Sequence, residues 1–307
     1  MIDLRRLHVL RAVAYFGTVT AAAQALYLTP SAASQQIRTL GRELGVTLLE
    51  PDGRRIRLSQ AARGLLVHAD AIEEQWQHAQ AALRSAARPV SGVLRLCGFP
   101  TAVSALLAPV AAQLRTRHPA LTVRTVESEP AASFDLIFAG HADLAVIEAI
   151  PDGPPLTDSR FDQQALLRDP FDLLVPADHP LTERDAVTLA DAAREPWVLG
   201  MPGSSSRQHV LAACSAAGFS PGIAHEAREW SVVATLVAYG LGIALLPRLV
   251  QLPTHLATKR IELVGQPTPS RQFLTCIRRG SHEHPAIAEA LSYLQNMADD
   301  LPPRNSA

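Results

Sequence analysis

The 307-residue chain contains no run of 18 consecutive apolar residues, so no membrane-spanning helix is expected. Cysteine is scarce: Cys97, Cys214 and Cys276 lie far apart with no CxxC spacing. Neither a disulfide framework nor a thiolate zinc site is supported by that pattern. The opening Met1-Ile2-Asp3-Leu4-Arg5-Arg6 lacks a basic-then-apolar leader, so the expectation is a reduced, cytoplasmic protein. Lys259 is the only lysine among 28 Lys and Arg residues, which points to a GC-rich genome rather than to a mechanism. G-x-S-x-G and P-loop motifs are missing, as is G-x-G-x-x-G in the first strand–helix turn. Neither enzymatic activity nor a cofactor is therefore expected.

What remains is an ordinary globular balance, 48% hydrophobic and 19% charged, with 23 Pro and 17 Gly. The length suits two or three domains of about 100–200 residues each. The net charge of −1 conceals an asymmetry. Residues 1–68 hold nine Arg against Asp3, Glu43, Glu50 and Asp52, whereas residues 89–307 hold seventeen basic and twenty-two acidic groups. A small basic head on a mildly acidic body suggests that the head alone meets a polyanion.

In the head, Leu4 to Phe16 reads as a helix with Leu7, Leu10, Val13 and Ala14 inward, ended by Gly17. Thr20 is placed to cap a short helix from Ala21 to Leu26. Thr29 and Pro30 form a strong start signal for a third helix, as N-cap and first helical residue. On a helical wheel, Ala33, Ile37, Leu40 and Leu44 form one stripe. Ser31, Gln35, Arg38 and Arg42 lie opposite, with Ser34 at the margin and no acid among them. Hydroxyls, an amide and arginines can approach base edges in a major groove about 12 Å wide. The alternative is an ordinary amphipathic surface helix. An Asp-Gly turn then joins two short strands and carries Arg54 and Arg55 at its tip. Beside a recognition helix, such a tip reads as a wing.

From Ser59 a second pattern begins. Ala62, Leu65, Ala69, Ile72, Trp76, Ala79 and Leu83 repeat at alternating spacings of three and four, the seam of a coiled coil. A partner helix is expected along it, with polar residues such as Asp70 and Glu73 facing solvent. A linker with Pro89 follows. The expected organisation is a DNA-binding head over 1–58, a dimerising helix and hinge over 59–91, and a body over 92–307. Within the body, one lobe is expected over about 92–160 and 268–300 and the other over about 161–267.

The body alternates strands and helices, implying two α/β lobes built on a mostly parallel sheet with a cleft between them. Thr101 stands at a helix start past the first strand, and Gly203-Ser204-Ser205-Ser206 precedes a helix of the second lobe. Such hydroxyls either bind an anion with the helix N-terminus or serve as plain caps. Glu148, at a strand end, either pairs with an amine of a zwitterionic effector or is solvated at the rim. His282 and His284, followed by Pro285, read as an exposed turn rather than a metal site, and Cys214 as a small core residue rather than a redox sensor.

The segments Gly17-Thr18-Val19-Thr20-Ala21-Ala22-Ala23-Gln24-Ala25-Leu26, Leu28-Thr29-Pro30-Ser31-Ala32-Ala33-Ser34-Gln35-Gln36-Ile37 and Leu40-Gly41-Arg42-Glu43-Leu44-Gly45-Val46 resemble LysR-type transcriptional regulators. Weaker matches continue through Phe99-Pro100-Thr101-Ala102, Ala142-Asp143-Leu144-Ala145-Val146 and Gly240-Leu241-Gly242-Ile243-Ala244. The resemblance implies an N-terminal winged helix-turn-helix, a long linker helix and an effector domain of two Rossmann-like lobes similar to type 2 periplasmic binding proteins. It implies DNA contacts at Pro30, Ser31, Ser34 and Gln35 and a minor-groove arginine at Arg54, and Thr18, Thr29, Arg38 and Arg55 join them as candidates. Effector contacts are implied at Thr101, Ser128, Ser204 and Ser205, with Glu148 beside them. Partners would be double-stranded promoter DNA, a small-molecule effector for which a carboxylate is one candidate, further copies as dimer or tetramer, and RNA polymerase. Pro30 stands where the family often has Gln, and Gly41 where Glu is usual. The segment Ser128 to Gly140 is short for the family. Two other classes compete: a cytoplasmic solute-binding protein with an N-terminal interaction module, and an α/β enzyme, which would need a convergent acid, base or nucleophile.

Overall fold

The computed structural model describes residues 3–52, 55–85, 90–150, 152–265 and 269–300. Helix α1 (Leu4–Phe16) begins at Asp3, whose carboxylate accepts the Arg5 amide at 2.9 Å. Helix α2 (Val19–Ala25) is capped by Thr18 rather than Thr20, because the extended Thr18 backbone lets its hydroxyl accept from the Ala21 amide at 3.0 Å. Helix α3 (Pro30–Leu44) starts as expected, Thr29 accepting from the Ala32 amide at 3.2 Å. It stops at Gly45, whose φ of +69° suits a residue without Cβ. Ala33, Ile37 and Leu40 are buried beneath it. Gly41 is packed so closely that a Cβ would lie 2.6 Å from the Val46 carbonyl oxygen. Strands β1 (Leu49–Asp52) and β2 (Arg55–Leu58) then form the antiparallel hairpin, Leu49 opposite Leu58.

Two expectations for this region change. Ala14 is exposed, whereas Val9, Arg11 and Ala12 are buried, because both the long helix and the body cover α1. That long helix, α4 (Gln60–Ser85), is capped by Ser59, whose hydroxyl accepts from the Ala62 amide at 3.0 Å. Its apolar seam is divided. Ala62 and Ala69 are fully buried in the core shared with α1, and Leu65 packs against that core, while Ile72, Trp76, Ala79 and Leu83 remain exposed. Asp70 and Glu73 do not simply face solvent: Arg11 Nε lies 2.8 Å from Asp70 and Nη1 3.2 Å from Glu73. A buried guanidinium on α1 needs those carboxylates.

The first lobe starts with β3 (Gly92–Gly98). Helix α5 (Pro100–Ala102), a π turn (Val103–Leu107) and helix α6 (Ala108–Arg117) follow as one continuous stretch. Next come β4 (Leu121–Glu127), α7 (Pro130–Ala139) and β5 (Leu144–Glu148). Strand β6 (Phe161–Pro176) leads into the second lobe, made of β7 (Pro196–Leu199), α8 (Ser205–Ala216), β8 (Gly222–Glu226), α9 (Trp230–Ala238), β9 (Ala244–Pro247) and β10 (Thr258–Ile261). Strand β11 (Ser270–Arg278) returns to the first lobe, and α10 (Pro285–Asp300) packs on its core.

The principal sheet runs β10-β6-β11-β5-β3-β4, with β9 also paired to β6. It is mixed rather than mostly parallel. Strand β3 runs parallel to β4 and β5, but β11 is antiparallel to β5 and β6, and β9 and β10 are antiparallel to β6. The cause is the double crossing: β6 carries the chain out to the second lobe and β11 brings it back. One end of β6 (Phe161) sits in the core of the first lobe, and Phe171 in that of the second. Among the described residues no helix is long and apolar enough to cross a membrane.

Candidate DNA interface and effector cleft

The outer face of α3 keeps the separation read from the sequence. Ser31, Gln35, Arg38 and Arg42 are exposed, and Ser34 is half-buried at the edge. Arg42 is steadied by a 2.9 Å hydrogen bond to the Thr39 hydroxyl. The nearest acid, Glu43, is bound to Arg6 on α1, so it does not set a free negative charge beside the strip. Thr29 and Thr18 are exposed, but their hydroxyls are engaged as caps, Thr29 also contacting Ser31 at 3.1 Å. Pro30 is exposed at the first helical position. A concavity of about 650 Å³ lies alongside, lined by Gln35, Arg38, Arg42 and the chain entering β1. On the hairpin, Arg57 pairs with Glu50 at 2.9 Å. Arg54 lies outside the described residues, and of Arg55 only the strand position opposite Asp52 is described.

In the body, Thr101 is buried in the first turn of α5, beside the π turn. Ser128 follows β4; its amide donates to the Gly98 carbonyl at 2.9 Å and its hydroxyl lies 2.7 Å from that of buried Ser133. The Cys97 thiol is hydrogen-bonded to both serines, yet burial pushes it up to about 11. Glu148, the last residue of β5, is 4% exposed, so it is not a solvated rim group. Its Oε1 lies 2.7 Å from His209 Nε2 on α8, and its Oε2 accepts from the Ser205 hydroxyl at 3.4 Å and faces Arg271 at 3.8 Å. These contacts join the two lobes. Ser204 fills the capping role, accepting from the Arg207 amide at 3.3 Å and donating to the Met201 carbonyl at 2.8 Å.

Behind Glu148 stands an ion pair that the sequence reading missed. Arg271 on β11 and Asp169 on β6 are both buried and lie 2.8 Å apart. Burial raises the Asp169 carboxyl above its usual range, with Arg271 and the Leu249 amide pulling it back. Asp169, Arg271 and Glu148 formally carry one negative charge in excess, met at the rim by the His209 imidazole. Arg271 stands between Ser270 and Gln272 at the polar start of β11, so nothing local in the sequence marks it as a buried charge that needs a partner.

The remaining candidates differ in burial. Cys214 is fully buried and its thiol is pushed up to about 12. His282 is exposed, but His284 is half-buried, with Nδ1 enclosed and unpartnered, contrary to a fully exposed turn. Among the described residues no three His, Cys, Asp or Glu side chains gather as a metal site.

Comparison with known proteins places this geometry. The bacterial regulatory helix-turn-helix family of lysR type matches residues 4–63, and the LysR substrate binding domain family matches residues 87–299. A probable hydrogen peroxide-inducible genes activator of Streptomyces viridosporus is 30% identical, covering 98% of this chain and 96% of its own. The RuBisCO operon transcriptional regulator of Allochromatium vinosum is 27% identical, covering 93% of each chain. Among solved structures, a full-length OxyR variant from Pseudomonas aeruginosa superposes with TM-score 0.65 at 21% identity, covering 98% of this chain and 95% of that one. Full-length CbnR in complex with its target DNA superposes with TM-score 0.56 at 22% identity, covering 97% and 100%. With its reading head, long connecting helix and two-lobed body all matched, the chain belongs to the LysR family of bacterial transcriptional regulators.

Proposed function

We propose that this regulator binds double-stranded promoter DNA through the exposed strip of α3 and the wing, and that a small molecule between the lobes controls it. The observation that carries the DNA reading is the acid-free face of Ser31, Gln35, Arg38 and Arg42. Ser34 and Gln35 read base edges; Thr18, Thr29, Pro30, Ser31, Arg38 and the wing arginines Arg54 and Arg55 hold the backbone. Two heads are spaced by pairing along α4, where Ile72, Trp76, Ala79 and Leu83 lie open to a second copy. Leu65 and Ala69, already covered by the chain's own head, contribute little to that pairing. The protein works in the cytoplasm as a dimer or a pair of dimers, next to RNA polymerase.

The effector site is the cleft lined by Thr101, Ser128, Glu148, Ser204 and Ser205. Hydroxyls and helix N-termini suit a carboxylate, and Glu148 suits an ammonium group. The test of the DNA reading is fluorescence anisotropy with the duplex upstream of the protein's own gene. Gln35→Ala should change sequence preference by about 1–3 kcal/mol at one base pair. Arg54→Ala should lower the salt dependence by about one charge. A uniform loss across all duplexes for Gln35→Ala would remove it from the reading set. A thermal-shift screen of amino acids, aromatic acids and sugar acids tests the cleft, because a native-state binder raises the melting temperature.

A further inference from the structure

Helix α7 touches the cleft at one end and the reading head at the other. At its first turn, Ser133 is fully buried, 2.7 Å from the Ser128 hydroxyl and hydrogen-bonded with the Cys97 thiol. Its ten residues span about 15 Å at about 1.5 Å per residue. At the far end, the Phe138 ring lies flat against Tyr15 of α1, centroids 4.2 Å apart and planes 7° from parallel. The Tyr15 phenol donates to Asp135, one turn earlier on α7, and the Arg160 guanidinium stands 4.7 Å over the Tyr15 ring.

Just past α7, His141 reaches the turn of the helix-turn-helix itself. Its Nε2 lies 2.7 Å from the Ala25 carbonyl oxygen, and its ring is 4.6 Å from that of Tyr27. Ala25 closes α2, and Tyr27 holds a φ of +54°, an uncommon value for a residue with a side chain. Three residues later α3 begins at Pro30. The body therefore grips the segment that aims the recognition helix.

We propose that α7 is a lever acting within one chain: what happens at Ser128 and Ser133 sets how firmly Phe138 and His141 hold the head. This rests on the reading of the cleft as the effector site and of α3 as the DNA reader. The joint is built from a stacked ring pair, a guanidinium over a ring and a hydrogen bond to a carbonyl. Its polar groups, Asp135, Arg160, His141 and the Ala25 carbonyl, can turn to water, whereas release exposes the buried Phe138 ring that shares a core with α1. The docked form therefore dominates, and the undocked form is the minor partner in the exchange. A ligand then shifts the balance by its differential affinity for the two forms.

The test is a double-mutant cycle on the full-length protein, read by amide hydrogen exchange over residues 4–28 without DNA or effector. Phe138→Ala and His141→Ala should speed exchange there. Ser128→Ala should change exchange over the same residues by at least about fivefold, and only while Phe138 is present. Ser133→Ala should behave alike; should that buried change prevent folding, half-buried Ser128 still decides. Unchanged exchange over 4–28 in the cleft variants, or an equal change with and without Phe138, overturns the lever. DNA affinity read in parallel separates the two readings. A protein that ignores every duplex loses its proposed function, while the exchange cycle still decides the lever. A protein that binds DNA but shows no coupling loses only the lever.

Discussion

Arg271 and Asp169 face each other across the β6–β11 ladder, Nη2 to Oδ2 at 2.8 Å, and both are buried. Glu148 approaches the same guanidinium at 3.8 Å. Arg271→Met would strand two carboxylates together out of water, at a cost of about 3–5 kcal/mol. The loss should be visible in urea unfolding at pH 7 and shrink toward pH 4, as protonation relieves the uncompensated charge. Adding Asp169→Asn should recover part of it. An unchanged midpoint for Arg271→Met would refute this account of the pair.

Gly41 on α3 offers no room for a side chain, since a Cβ would lie 2.6 Å from a backbone oxygen of Val46. Gly41→Ala should therefore destabilise the head by about 1–3 kcal/mol, the range of overpacking. Calorimetry on the full chain checks this. A neutral result would mean that the turn at Val46 yields easily.

The exposed half of the α4 seam predicts an association defect without a folding defect. Trp76 is 45% exposed and Leu83 72%. Trp76→Glu combined with Leu83→Glu should weaken self-association by tenfold or more, about 1.4 kcal/mol or above. The far-ultraviolet circular dichroism should stay unchanged. Sedimentation velocity against concentration gives the answer, and an unaltered dimer would place the interface elsewhere.

The three thiols should be inert in the folded protein. All are buried, Cys97 is held at about 11 and Cys214 at about 12, and burial raises Cys276 as well. At pH 8 a thiol of pKa about 12 is ionised in about one molecule in ten thousand. Ellman's reagent should thus titrate none of them within minutes at pH 8 and all three after denaturation. A fast-reacting native thiol would reopen a redox role.

Asp191 carries the clearest pH signature. The Thr188 hydroxyl and amide, at 2.7 and 2.8 Å, and then Arg184 at 2.7 Å hold its carboxyl down to about 2 from 3.8. Because the folded value is depressed, the stabilisation is fully present above about pH 4 and is lost as pH falls through about 2. Asp191→Asn should be less stable than the parent at pH 7, with the difference vanishing near pH 2. A constant difference across that window would contradict the assignment.

The reading head was legible because its signals are local. Thr29, Pro30 and Gly45 set the ends of α3, and the stripe of Ala33, Ile37 and Leu40 set its faces. Thr20 was misplaced as a cap because either threonine suits the role chemically and only backbone conformation separates them. The fate of Ala62 and Ala69 was not legible, since periodicity reveals an apolar stripe but not what covers it. The cleft residues proposed above, Thr101, Ser128, Glu148, Ser204 and Ser205, were chosen for their places at strand and helix ends, where ligand groups concentrate in α/β folds. Of these the structure brings Glu148 and Ser205 into contact. His209, Asp169 and Arg271 were missed because their partners lie 61 and 102 residues away in sequence.

The lobes are joined by two neighbouring strands of one ladder, paired from Phe161–Arg278 to Pro170–Ser270, with a register shift between Phe273 and Leu274. Such a ribbon twists readily about its long axis but resists shear, because sliding would break every rung at once. Any rotation of one lobe on the other would therefore be taken up first at this irregular rung, two residues beyond the Arg271–Asp169 pair.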